Sequence, residues 1–345
     1  MLSQQSVCAL VVAISSIARR KFPQAKRESP EPTRNQKPDV KNESVDLSFK
    51  TILASLGRLT KELKKSISTP EPWIVSFHEL QNLNFIGGGA QGKVFSGVRR
   101  KHRIAFKQVR SFEESDLELI KGLRHPNLVR VHGVCLDAPN LGFVMELCSH
   151  GTLHNEIHSG THLEEQTILR WAAEIASGMS YLHGQRIFHG DLKPLNILLD
   201  GAAKTAKIGD FDSSRKLGSL VGASDTGTVP YMAPELLLFD HKSLSADVWA
   251  YGVVLWEMIV RQKPYGNLNR WAIIFGVGNN TLRLRVPQNC PAVLREIITR
   301  CLIVTPYKRL PFERVVEILE NPFCGSLDLG THSPVMTAGL CSALW

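Results

Sequence analysis

The run His189-Gly190-Asp191-Leu192-Lys193-Pro194-Leu195-Asn196 sets a carboxylate, a cation and an amide within six residues. Phosphoryl transfer needs those three chemistries: an acceptor to orient the attacking hydroxyl, a cation to counter the migrating charge, and oxygen ligands for Mg²⁺. Asp191, Lys193 and Asn196 fill the roles in that order. Apolar residues recur with helical period from Trp171 to His183, so a long helix should deliver the run to its place. Taken alone, D-x-K-x-x-N reads equally as a solvated polar loop. Its company decides the matter: Gly87-x-Gly89-x-x-Gly92-x-Val94 and Ala105-Phe106-Lys107 upstream, Asp210-Phe211 and Ala233-Pro234-Glu235 downstream.

Phe85-Ile86 enters the glycine stretch and Val94-Phe95-Ser96-Gly97 leaves it, which predicts strand, turn and strand. Glycines there let backbone amides approach phosphates without Cβ clashes. G-x-G-x-x-G also marks dinucleotide-binding turns, but those are followed by a helix. Here a short strand carrying Lys107 follows instead. A second apolar strand, Phe143-Val144-Met145, runs into Glu146-Leu147-Cys148.

In order and spacing these motifs match the protein-kinase signature set, and residues 74–322 resemble a eukaryotic protein kinase. The resemblance implies an α+β, bilobal fold: a small, mainly antiparallel β N-lobe with helix αC, and a larger α-helical C-lobe. It implies ATP and Mg²⁺ as cofactors. Ile86, Gly87, Gly88, Gly89, Ala90, Gln91 and Gly92 would cover the phosphates, and Lys107 would pair with them. Val94 and Ala105 would sandwich the adenine, with Leu198 completing the nucleotide set. Glu146 and Cys148 would form the hinge, behind Met145 as gatekeeper. Asn196 and Asp210 would hold the metal, and Asp191, Lys193 and Lys107 would be catalytic. Thr228 is expected to hydrogen-bond Asp191 and Lys193, Glu235 to pair with Arg309, and Asp247 to steady the catalytic-loop backbone. Residues 213–229 fit an activation loop, with Ser224 and Thr226 as phosphosites.

Three positions depart from the common pattern. The αC carboxylate falls on Asp116 by family register, with Glu118 or Glu114 as substitutes. Asp212 stands where glycine is usual after Asp210-Phe211. Gly190 replaces an arginine that clamps a phosphorylated activation loop, so activation should depend less on phosphorylation.

Trp73-Ile74-Val75-Ser76-Phe77-His78-Glu79-Leu80, the Gly-Ala-Gln-Gly at 89–92, Ala272 to Asn280, Val286-Pro287 and Cys290-Pro291 are similar to the dual-leucine-zipper kinases, in the mixed-lineage group of MAP kinase kinase kinases. That likeness implies serine/threonine specificity and MAP kinase kinases as protein substrates in a stress-type cascade. The competing reading is a pseudokinase scaffold, suggested by Asp212, Gly190 and Asp116 together.

Charge is uneven along the chain: the net is +9, and residues 1–70 hold 13 Lys/Arg against 6 Asp/Glu. The basicity therefore belongs to an N-terminal arm, 1–48, read as disordered and solvated, with membrane contact as the lesser alternative and no nucleic-acid partner. Phe49, Ile52, Leu56, Leu59, Leu63 and Ile67 predict an amphipathic helix within a 49–69 segment. The tail, 323–345, is aperiodic, which predicts no zipper within this chain. Seven scattered cysteines without a C-x-x-C pair point to a reducing compartment, hence to the cytoplasm.

Overall fold

The computed structural model describes residues 73–89, 92–112, 114–210, 215–216 and 228–321. The basic arm, the 49–67 helix, Ala90, Gln91, Phe211, Asp212, Ser224, Thr226 and the tail lie outside the described residues. So do the side chains of Glu114, Asp116 and Glu118. The described chain divides into two compact units, one running to Gly151 and including Gly209 and Asp210, the other built from Thr152–Ile208 and 228–321.

The first unit is organised by β1 (Gln81–Gly89), β2 (Gly92–Arg99), β3 (His102–Gln108), β4 (Val131–Cys135) and β5 (Gly142–Glu146), with helix α1 (Glu114–Lys121) between β3 and β4. They form a five-stranded sheet in the order β1-β2-β3-β5-β4, and each neighbouring pair is antiparallel. On β3, Ile104, Ala105, Phe106 and Lys107 are all buried. Such a run means that the central strand is covered on both faces, whereas a half-exposed strand would alternate. Val75, Leu80, Ile104, Phe106, Cys135 and Val144 make the core on one side. Arg100 and Lys101 turn β2 into β3 with φ of +47° and +70°, the two left-handed residues of a type I′ hairpin.

In the second unit, α2 (Leu153–Ile157) precedes α3 (Glu165–Gly184), and β6 (Ile187–Phe188), β7 (Ile197–Asp200) and β8 (Thr205–Ile208) follow. Then come α4 (Pro234–Phe239), α5 (Leu244–Val260), α6 (Arg270–Gly278), α7 (Ala292–Cys301) and α8 (Phe312–Glu320). Helix α3 begins six residues before the Trp171 start expected from apolar period, because its first turn, Glu165-Gln166-Thr167, is polar, with Glu165 and Gln166 exposed. Its buried stripe is Ile168, Trp171, Ile175, Met179 and Leu182, at the three- and four-residue steps of one face. Helix α8 packs along α3 and buries Phe312 and Val315. Helix α5 differs in kind: every residue from Ala246 to Met258 is buried, so it is a central rod rather than an amphipathic surface helix. No described helix is long and apolar enough to cross a membrane.

Candidate active site

The loop between β6 and β7 carries Asp191, Lys193 and Asn196, and its backbone is fixed from beneath by α5. Asp247, 1% exposed, accepts from the His189 amide at 2.9 Å and the Gly190 amide at 3.0 Å. The same carboxylate lies 3.0 Å from His183 Nε2 at the end of α3. One acidic side chain thus ties two helices to the loop, and its burial is offset by three donors. Gly190 has φ of +82°, a left-handed value that costs any residue with a Cβ about 1–2 kcal/mol. The Asp191 amide donates to His189 Nδ1 at 3.2 Å, which completes a tight turn at the head of the loop.

Around Asp191 the side chains form a closed set. Lys193 Nζ lies 2.5 Å from Asp191 Oδ2. Asn196 Nδ2 donates to the Asp191 carbonyl at 2.8 Å and to Oδ2 at 3.1 Å. Both contacts use the nitrogen, so the amide oxygen of Asn196 is left as a hard oxygen ligand of the kind Mg²⁺ takes. Thr228 closes the other side: its amide and its hydroxyl each donate to Asp191 Oδ1 at 3.0 Å, and Oγ1 accepts from Lys193 at 2.6 Å. A carboxylate gripped by this many donors is held in one orientation, as a group that must position a substrate hydroxyl needs to be.

Thr228 is placed by the 3₁₀ turn Val229–Tyr231. Tyr231 donates its phenol to Glu257 Oε2 at 2.6 Å. Burial, and then the Glu257 charge, push that phenol far above its ordinary pKa, so it stays a donor at any working pH. Just beyond, Glu235 meets Arg309 in a two-pronged ion pair at 2.6 and 2.7 Å. Arg309 also donates to the carbonyls of Ile303, Ser245 and Val304. The Glu235–Arg309 pairing expected from sequence is therefore present.

The first unit carries its own set. Lys107, at the inner end of β3, makes an ion pair of 2.6 Å with Asp210 Oδ1. Asp210 has φ of +64°, a conformation rare for a residue with a Cβ and typical of functional turns. The αC carboxylate expected to hold Lys107 falls among side chains outside the described residues. The β1–β2 glycine stretch leaves Ile86 53% exposed. A Cβ on Gly87 would meet nothing within 4 Å, whereas one on Gly92 would lie 2.1 Å from the Gln108 carbonyl oxygen. Gly92 is therefore required for β2 to approach β3, while Gly87 keeps an open backbone face and a Cβ on Gly88 would lie 3.4 Å from the Gly92 carbonyl oxygen and the Phe85 ring. Register brings Val94 opposite Lys107, and Ala105 opposite Met145. The Glu146 carboxylate accepts from the amide of Arg130, the residue before β4, at 2.6 Å, and Cys148 is half-buried beyond it. Leu198 sits half-buried on β7 in the second unit, bridged to Thr152.

Sequence reading missed two anchors. Nothing local links Tyr231 to Glu257, or Arg261 to the carbonyl of Ile157, to which its Nε and Nη2 donate at 2.9 and 2.7 Å. These partners are brought together only by packing of α5.

The chemistry of each set suits phosphoryl transfer: a carboxylate, lysine and amide on one unit, and a lysine–aspartate pair with an open glycine backbone at Gly87 on the other. The profile of the protein tyrosine and serine/threonine kinase family matches residues 80–319. The chain is 38% identical over 251 residues to mitogen-activated protein kinase kinase kinase 13 of Homo sapiens, a match covering 72% of this chain and 26% of that protein. It is 37% identical over 245 residues to mitogen-activated protein kinase kinase kinase 12 of Rattus norvegicus, covering 71% of this chain and 28% of that one. With the dlk-1 kinase of Caenorhabditis briggsae it shares 37% over 270 residues, 77% of this chain and 31% of the relative. The match thus takes in roughly a quarter to a third of each curated relative.

Proposed function

Because the chain belongs to the protein tyrosine and serine/threonine kinase family, we propose that it transfers the γ-phosphoryl group of ATP to serine or threonine hydroxyls of MAP kinase kinases in the cytoplasm. The observation that carries this reading is the Asp191–Lys193–Asn196–Thr228 set, whose lysine two residues past the aspartate is the serine/threonine-type choice. The substrate class is taken from the relatives, each named as a MAP kinase kinase kinase.

Asp191 orients the acceptor hydroxyl and takes up its proton as the oxygen attacks. Lys193 faces the transferring phosphoryl and offsets its charge; Thr228 holds both in register. Lys107 binds the α- and β-phosphates, and the Gly87 backbone, with open space beside it, approaches them. Asp210 on the first unit and Asn196 on the second would each offer an oxygen to Mg²⁺, which would supply positive charge against that of the phosphates. Val94 and Ala105 of the first unit, with its Glu146–Cys148 hinge, would offer apolar surface to the adenine, and so would Leu198 of the second.

The test is transfer of radiolabel from ATP to a panel of purified MAP kinase kinases, with Asp191→Asn and Lys107→Met alongside. Both substitutions should abolish transfer and leave the circular dichroism spectrum unchanged. Label transfer at equal rates by wild type and variants would mean that the activity is a contaminant's, and would favour a nucleotide- or partner-binding scaffold.

A further inference from the structure

His154, on α2, and His158, the residue that ends it, lie one turn apart and aim ring nitrogens at one oxygen. His158 Nε2 is 2.9 Å and His154 Nδ1 is 3.8 Å from Glu257 Oε1. The rings lie against each other with centroids 4.5 Å apart, and the three ligand atoms fall within 4.8 Å of one another. Glu257 is fully buried on α5, whereas the histidine side chains are 29% and 25% exposed. The cluster is therefore closed at the carboxylate and open to solvent at the imidazoles, which gives an ion a way in.

A hydrogen bond from His158 alone satisfies Oε1, and Tyr231 satisfies Oε2. The second imidazole is then surplus: at 3.8 Å its nitrogen is beyond hydrogen-bond reach of the oxygen it faces. An ion placed among the three engages all of them. Zinc bonds of about 2.0–2.2 Å to nitrogen and oxygen imply ligand–ligand edges of about 3.3–3.5 Å in a tetrahedron, and the observed 2.9 and 3.8 Å straddle that value. The outer supports are also built. Tyr231 fixes the carboxylate through its second oxygen, as hydrogen-bonded partners commonly fix metal ligands. Arg261 pins the end of α2 through the Ile157 carbonyl and through that of Thr161. The charged groups that act on His154 are His158, Glu257 and Lys263, and Lys263 is exposed and screened.

We propose that His154, His158 and Glu257 form a binding site for a divalent transition-metal ion of the zinc class, with the fourth position open to water. Two imidazoles and one carboxylate, without thiolate, select such an ion over Mg²⁺ or Ca²⁺. The site stands on its own geometry and does not depend on the catalytic reading. Its consequence reaches that machinery, because Tyr231 belongs to the turn that carries Thr228, and the Tyr231 amide donates to the Thr228 carbonyl at 2.9 Å. Occupation would stiffen the mounting of Asp191's partner.

Full-length protein stripped with a chelator is dialysed against Zn²⁺, and bound metal is measured against free metal for wild type, His158→Ala and His154→Gln. The second variant removes a ligand without touching the 2.9 Å bond, so it keeps the fold if the first does not. Either variant should lose one equivalent of uptake, or bind it more than tenfold more weakly, the scale already set by loss of an outer-shell partner. Co²⁺ in place of zinc should give visible tetrahedral bands, lost in the variants, without the near-ultraviolet thiolate charge-transfer band that cysteine sites give. Unchanged uptake in His154→Gln, or a cobalt spectrum dominated by thiolate, would overturn the assignment.

Discussion

Removing the Thr228 hydroxyl should slow catalysis without unfolding the protein. Thr228→Val deletes the donor to Asp191 Oδ1 at 3.0 Å and the acceptor for Lys193 at 2.6 Å, but keeps the backbone amide that also donates to Oδ1 at 3.0 Å. A hydrogen bond to a charged group contributes about 1.5–3 kcal/mol. Because Lys193 and Asp191 retain their direct contact of 2.5 Å, only part of the two-bond loss is felt, and a total of about 1.5–3 kcal/mol is expected. If that loss falls in the transition state, kcat drops about 10- to 150-fold with little change in KM for ATP. Thr228→Ser restores the hydroxyl and should recover most of the rate. Steady-state phosphorylation of a MAP kinase kinase by the three proteins measures this. A valine variant within about threefold of wild type, or a serine variant as slow as the valine one, would refute the reasoning, by showing that the hydroxyl is idle or that the methyl group is what matters.

Asp247→Asn leaves one acceptor oxygen where three donors converge, so urea unfolding should reveal a loss of about 2–4 kcal/mol, together with a fall in kcat. Gly92→Ala forces a methyl group to within 2.1 Å of the Gln108 carbonyl oxygen. Its melting temperature should fall by several degrees, roughly 1 kcal/mol or more, while Gly87→Ala, which meets nothing, should melt with wild type. Gly190→Arg imposes φ of +82° on a residue with a Cβ. It should cost about 1–2 kcal/mol in urea titrations, and no loss would show that the loop relaxes. Burial pushes the Cys301 thiol up to about 12 against the pull of Arg309 and Arg300, so at mildly alkaline pH iodoacetamide should modify it only after denaturation. Mass spectrometry reads the difference, and rapid labelling of the native protein would contradict the buried placement.

The residues whose spacing is itself chemistry were legible in sequence. Asp191, Lys193 and Asn196 sit within one short loop, and their contacts follow once that loop is held. The glycine turn was legible for a similar reason, since strand rather than helix after Gly92 excludes the dinucleotide alternative. What escaped is what only tertiary packing creates. Arg100 and Lys101 give no turn signal in sequence, because the usual Asn-Gly or Asp-Gly chemistry is missing and the hairpin geometry is imposed by the paired strands. The start of α3 was placed late because its first turn faces solvent and contributes nothing to apolar period. His154, His158, Tyr231 and Glu257 come from three segments, with Glu257 99 positions after His158, and no local pattern joins them.

The fully enclosed α5 also sets an order of events during synthesis. Its residues from Ala246 to Met258 have no solvent-compatible face, and it packs with α7, which lies downstream of it in the chain. As the polypeptide leaves the ribosome, α5 therefore emerges some 40 residues before its later neighbour Cys301 and must wait as an apolar segment without its final covering. A chain interrupted in that interval presents a sticky rod to chaperones and proteases. Quality control of this chain is accordingly expected to act at translation of α7 rather than at the loop that carries Asp191.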